Sequence, residues 1–141
     1  MVPWIQVYSN LIHHPKTTAL ADELELKSGD VNPNAIAAGM LVSLWTWAVQ
    51  NAYNGDLSEC SDRAIAEACL WKKKPSTIVD ALINAGWIDV STETGKRVTT
   101  LHDWGDYATL LVDAEENRRS KTRERVQRYR DRKRNESETK V

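Results

Sequence analysis

A mostly α-helical fold is predicted for this 141-residue chain by three observations. The first is an order of signals between Asp56 and Trp104: short strand, helix, turn, helix, β-hairpin. That is the order of a winged helix-turn-helix. The second is apolar spacing of three and four residues through most of the remaining chain. The third is charge. Residues 1–117 hold 8 Lys/Arg against 16 Asp/Glu, a net of −8, whereas 118–134 hold 10 against 2, a net of +8. An acidic body carrying a basic segment points to a polyanionic partner for that segment.

Taken from the N-terminus, Trp4-Ile5-Gln6-Val7-Tyr8 alternates with period two and reads as a short strand. Asn10 to Pro15 is a turn, with the histidine before Pro15 a turn or cap residue. A helix over Lys16–Leu26 follows, with Leu20, Ala21 and Leu24 inward. After a polar loop to Pro33, the longest helix runs from Asn34 to Tyr53. Ile36, Met40, Leu41, Leu44, Trp45, Trp47 and Ala48 cover most of its circumference, which makes it central. Ala37, Ala38 and Gly39 let a neighbouring helix approach closely, and Asn54-Gly55 ends the element.

In the winged unit, Ser61 N-caps a helix over Asp62–Leu70 whose inner face holds Ile65, Ala68 and Cys69. Lys72–Lys74 form the turn, and Pro75 opens the next helix, where its missing N–H costs nothing. Ile78, Val79, Leu82 and Ile83 give that helix its stripe, and Gly86 ends it in a left-handed conformation. Trp87, Ile88 and Val90 then face Val98, Thr100 and Leu101 across a turn holding Gly95. Asp103 caps a final helix from Trp104, packed through Tyr107, Leu110, Leu111 and Ala114. The predicted domains are a winged-helix domain with its N-terminal extension over 1–103, a helix over 104–134 that turns basic, and a disordered tail over 135–141.

Composition excludes several classes. Met-Val-Pro-Trp lacks the basic start and apolar run of a signal peptide, and no stretch is apolar enough to span a bilayer. Cys60 and Cys69 form no paired motif and read as small buried residues of a cytoplasmic protein. The six tryptophans read as core and boundary packing. His13 and His14 diverge, His102 stands apart, and no zinc, phosphate-loop or nucleophile pattern occurs. No enzyme activity, metal or cofactor is expected.

The basic segment is the main functional signal. Arg118, Arg119, Lys121, Arg123 and Arg125 begin it. Arg128, Arg130, Arg132, Lys133 and Arg134 complete it. Guanidinium forks match phosphate oxygens, so this segment is a sequence-independent contact that lies in a groove or folds on binding. The opposed interpretation is a solvated helix end. A second contact surface is expected from Lys72, Lys73, Lys74, Ser76 and Thr77 with Lys96 and Arg97 of the wing. Asp80 counts against it, since an acid on that helix repels phosphate.

Several strings together resemble a known family: W-I-Q-V-Y-S-N-L, H-P-K-T, L-A-D-E-L, A-G-M-L-V-S-L-W-T-W-A, N-G-D-L, A-I-A-E-A, A-G-W-I-D and L-H-D-W-G-D-Y. Over residues 4–134 the chain resembles the N-terminal domain of phage replisome organisers, which is similar to the winged-helix part of DnaD-like primosome proteins. The resemblance implies origin DNA binding, duplex or single-stranded, at the start of phage DNA replication in a bacterial host cell. It also implies self-association and contact with the host helicase or its loader. Two alternatives stay open. One is an interaction or dimerisation module whose basic tail alone touches nucleic acid. The other is a phage-encoded regulator or inhibitor of a host nucleic-acid machine.

Overall fold

The computed structural model describes residues 4–139, except for the side chains of 109–115 and 137–139. Helix α1 (Pro15–Glu23) leads to the central α2 (Pro33–Asn51). The pair α3 (Asp62–Ala68) and α4 (Pro75–Asn84) follows. The hairpin of β1 (Ile88–Ser91) and β2 (Val98–Leu101), the single turn α5 (Trp104–Tyr107) and the long α6 (Thr109–Thr139) complete the order. The chain is thus mostly helical with a small antiparallel sheet. Among the described residues, no helix is long and apolar enough to cross a membrane.

The helix starts follow capping chemistry. His14 Nδ1 accepts from Lys16 N–H at 3.1 Å, Asn32 Oδ1 from Asn34 N–H at 2.9 Å, and Ser61 Oγ from Ala64 N–H at 3.1 Å. Pro15, Pro33 and Pro75 each sit in a first turn. His14 is therefore the cap that its place before Pro15 suggests.

Three helix ends share one device. At α1, Leu26 N–H donates to Ala21 C=O at 3.1 Å and Glu25 N–H to Asp22 C=O at 3.0 Å. Trp71 and Leu70 repeat this at α3, and Trp87 and Gly86 at α4. The pivots Glu25, Leu70 and Gly86 are all left-handed, with φ of 52°, 61° and 88°. This is the Schellman arrangement, with Leu26, Trp71 and Trp87 as the hydrophobic residues that follow. Helices α1 and α3 accordingly stop before Leu26 and Leu70, short of the expected ends. Gly86 behaves as its sequence predicts.

Aromatic rings knit the core, which runs from Leu11 to Ala108. Trp45 of α2 stacks on Tyr107 (centroids 4.2 Å apart) and meets Trp87 edge-on at 5.7 Å. Trp87 Nε1 donates to Lys16 C=O at 3.0 Å, which ties α1 to the start of the hairpin. Trp45, Trp87 and Trp104 are buried, whereas Trp4 is exposed and does not pack as core. Burial alone pushes the Cys69 thiol up to about 12, as expected for an inert core residue. Ile36, by contrast, lies exposed although α2 is central.

The hairpin pairs Ile88 with Leu101, Asp89 with Thr100, Val90 with Thr99 and Ser91 with Val98. A third chain segment joins its edge. Leu57 N–H donates to Thr99 C=O and Leu101 N–H to Gly55 C=O, each at 2.8 Å, around an isolated bridge from Asp56 to Thr100. The expected short strand before α3 is thus reduced to one bridge.

Three further expectations are corrected. Trp4–Tyr8 is not a strand, because no sheet edge reaches it. Its backbone link is a bond from Gln6 N–H to Tyr107 C=O at 2.8 Å. That bond occupies a carbonyl a continuous helix would use. The C-terminal helix is accordingly broken at Ala108 (φ −117°, ψ 24°), and Trp104, Tyr107 and Ala108 belong to the core, so the body extends past residue 103. Asp103 makes no side-chain cap; it is left-handed (φ 52°), and its carboxylate lies 3.2 Å from His102 Nε2. Residues 135–139 continue α6, in which neither Gly nor Pro interrupts the helix. Residues 140–141, and the side chains of Leu110, Leu111 and Ala114, lie outside the described residues.

Gly55 and Leu70 make opposite predictions from the same backbone region. Gly55 has φ of 80°, and a Cβ there would stand 2.8–2.9 Å from the Trp104 side chain. Gly55→Ala adds a left-handed alanine to an overpacked contact and is expected to cost about 2–5 kcal/mol. Leu70 is 75% exposed. Leu70→Gly relieves a left-handed side-chain residue and is expected to add about 1 kcal/mol. Urea denaturation of both variants checks the two signs.

Candidate nucleic-acid interface

Two groups of cations stand apart on the body. Lys72, Lys73 and Lys74, all exposed, occupy the turn between α3 and α4. Trp71 shapes this turn: its Nε1–H donates to Lys74 C=O at 3.1 Å, and Lys73 Nζ lies 5.8 Å from its ring centroid. Lys74 occupies the N-cap position of α4 without a side-chain cap bond. Next to it Ser76 is half-buried and Thr77 exposed. Pro75 has no N–H and Thr77 N–H donates to Lys74 C=O at 3.1 Å, so the suitability of this turn for a phosphate rests on its three ammonium groups.

The wing cations lie elsewhere. Arg97 lines a cleft of about 110 Å³ with Asp62, Cys60 and Ser58, at the N-terminal end of α3. Lys96 is near Asp56, whose carboxyl is held below its ordinary value by hydrogen bonds from Ser58, with a smaller contribution from the Lys96 charge. The lysine turn leaves the opposite end of α3, a helix roughly 10 Å long. The five expected body cations therefore form two groups, and the wing pair faces acids.

The exposed face of α4 adds no positive charge. Asp80 is exposed on it, and Asn84 Nδ2 donates to Glu23 Oε2 of α1 at 3.4 Å. An acid and an engaged amide make this a poor surface for a duplex backbone.

Helix α6 differs sharply. Every residue from Glu116 to Arg130 is exposed, as are Arg132, Lys133 and Arg134. All ten cations from Arg118 to Arg134 therefore sit on one helix, about 25 Å long over that span. Short-range pairs hold part of it: Arg128 to Glu124 at 3.6 Å, Arg134 to Asp131 at 3.0 Å, and Lys133 Nζ 5.3 Å from the Tyr129 ring. Exposed pairs of this kind contribute only about 0.2–1 kcal/mol each. Arg119 Nη2 donates to Tyr53 Oη at 2.9 Å and anchors the basic stretch to the end of α2. Tyr53 and Trp71 are the residues that sequence reasoning missed. Trp71 had a signal, its place beside three lysines; Tyr53 had none, being 66 residues from its partner.

The remaining polar groups serve structure. His102 bridges two carboxylates, Asp89 at 2.8 Å through Nδ1 and Asp103 at 3.2 Å through Nε2, and so joins β1 to the start of α5. Burial raises the Cys60 thiol above its ordinary value, with Asp56 and Glu59 adding to the shift. Asp106 raises the Tyr8 hydroxyl, and burial pushes Tyr107 up to about 12. Among the described residues, no three His, Cys, Asp or Glu side chains gather as a metal site. Compared with protein-family models, curated proteins and solved structures, the chain matches none.

Proposed function

We propose that this chain is a non-catalytic DNA-binding protein that acts in the initiation of phage DNA replication, with α6 as its principal contact. The observation that carries the proposal is the concentration of ten exposed Lys/Arg side chains on one helix beside a body, residues 1–108, that holds 8 Lys/Arg against 13 Asp/Glu, a net of −5. Such a helix neutralises phosphates and releases their counterions, which supplies affinity without sequence information. The unit from Gly55 to Leu101 fits a winged helix-turn-helix, since α3, α4 and the hairpin follow in that order with a third segment bridged to the edge. Lys72–Lys74 and the first turn of α4 then provide a second, smaller contact. The replication role rests on the resemblance to phage replisome organisers. Origin binding, self-association, a host helicase or loader partner, and action in the bacterial cytoplasm belong to the same proposal.

A second reading is favoured by the face of α4. Asp80 and the Asn84–Glu23 contact suit a protein partner better than a phosphate backbone. On this reading the body is an interaction module, and α6 alone touches nucleic acid.

Fluorescence anisotropy with duplex and single-stranded DNA over a salt series separates these readings. One variant carries K121A, R125A, R128A and R132A; another carries K72A, K73A and K74A. The α6 variant is expected to bind at least 100-fold more weakly near 0.1 M salt. Its log K against log[salt] slope should be shallower by about 3–4, at roughly 0.9 per duplex phosphate contact. A tenfold or greater loss in the turn variant supports DNA contact by the winged unit, and no loss supports the interaction module. Wild-type protein that binds neither DNA form, or binds without salt dependence, contradicts the proposal.

A further inference from the structure

The charges on α6 are sorted around the helix. At about 100° per residue, positions three, four and seven apart share a face. Lys121, Arg125, Arg128 and Arg132 follow that spacing and form one flank. Arg119, Arg123, Arg130 and Arg134 form another flank, turned by nearly half a revolution. Between them runs a strip of Thr122, Val126 and Tyr129 that ends at Lys133. The face opposite this strip has no cation. It carries Ser120, Glu124, Gln127 and Asp131 at the same spacings.

The described side chains fit this sorting. Val126 is 44% exposed and Tyr129 54% exposed, so an aliphatic side chain and an aromatic ring lie open on this strip. The Thr122 hydroxyl donates back to Arg118 C=O at 3.0 Å, so its polar end is engaged by its own helix. Glu124 and Asp131 pair with Arg128 and Arg134, so each acid lies behind a flank and away from the strip.

We propose that α6 inserts into the major groove of B-form DNA, with the Thr122–Val126–Tyr129 strip toward the base edges and the two arginine flanks on the phosphates of the two strands. The proposal rests on the DNA-binding reading above and specifies its geometry. Size supports it. A helix with side chains is about 10–12 Å across, and the major groove of B-DNA is about 12 Å wide. The minor groove, at about 6 Å, is too narrow. The major groove of A-form RNA is deep and narrow and excludes side-chain readout. Charge supports it as well. A helix lying on one strand or on an acidic surface needs a single basic face, whereas a helix between two phosphate ridges needs two. The strip carries methyl and ring surface, which suits the thymine methyl group exposed in that groove.

The test uses the full chain, with Val126→Glu on the strip and Gln127→Glu on the opposite face. Both changes add one negative charge to adjacent exposed positions. Anisotropy with a duplex DNA, and with an RNA duplex of the same sequence, gives the readout. Circular dichroism confirms equal helicity; if Val126→Glu loses helix, Tyr129→Glu and Ser120→Glu supply the same contrast. The expected result is at least a tenfold greater loss for the strip variant, with at least tenfold weaker wild-type binding to the RNA duplex. Equal losses for the two variants, or equal wild-type affinity for DNA and RNA duplexes, overturn groove insertion while DNA binding itself stands. Wild-type protein that binds neither duplex overturns both.

Discussion

The contact between Trp104 and Gly55 is the constraint on which the arrangement depends. The indole Nε1–H donates to Tyr53 C=O at 2.6 Å, and the ring lies where a Gly55 side chain would be. Gly55 C=O in turn receives Leu101 N–H. One residue without a side chain therefore brings together the end of α2, the edge of the sheet and the first residue of α5. Trp45 stacked on Tyr107 fixes the other end of α5. Gln6 N–H donates to Tyr107 C=O where the helix is interrupted at Ala108, and α6 starts afresh at Thr109. The link from Arg119 to Tyr53 returns to the same corner. The exit of the basic helix is thus set by the packing of this corner together with the Arg119 contact.

Under the proposed DNA-binding role, charge segregation gives this geometry its purpose. Like charges repel a polyanion over about 8–10 Å at moderate salt, and more weakly beyond. A compact acidic body with scattered arginines would lose much of their attraction. Placing the cations on a continuous helix strings them over about 22 Å from Arg119, which is held at Tyr53, to Arg134. The cost is a helix with little packing to support it over its basic stretch, stabilised by pairs one turn apart and by helix-forming Arg, Lys, Glu and Gln.

Local chemistry was legible in the sequence, and long-range competition was not. Ser61, Pro33, Pro75 and Gly86 act where their side chains or backbone freedom place them. The apolar spacing of Leu20, Leu41, Leu44, Ile65, Ile78 and Leu82 correctly marks the core. Glu25 and Leu70 were invisible as helix ends because neither prefers a left-handed backbone; the hydrophobic residues after them, Leu26 and Trp71, draw the chain into that turn. Trp4–Tyr8 has strand-like alternation, but alternation does not supply a partner edge. Asp103 looks like a cap, but its carboxylate lies beside His102. At the candidate interface, the density of Arg in 118–134 was plain from composition. The separation of Lys96 and Arg97 from Lys72–Lys74 was not, because it depends on which end of α3 the wing meets.

On the proposed function, α6 and not the acidic body supplies the affinity for DNA. Removing the basic stretch of α6 is the decisive measurement: duplex binding by the full chain is compared with binding by a chain ending at Glu116, with matched melting curves for the body. The shortened chain is expected to lose at least 100-fold in affinity at about 0.1 M salt, with most of the salt dependence removed. A shortened, folded chain that binds duplex as tightly as the full one would contradict that reading.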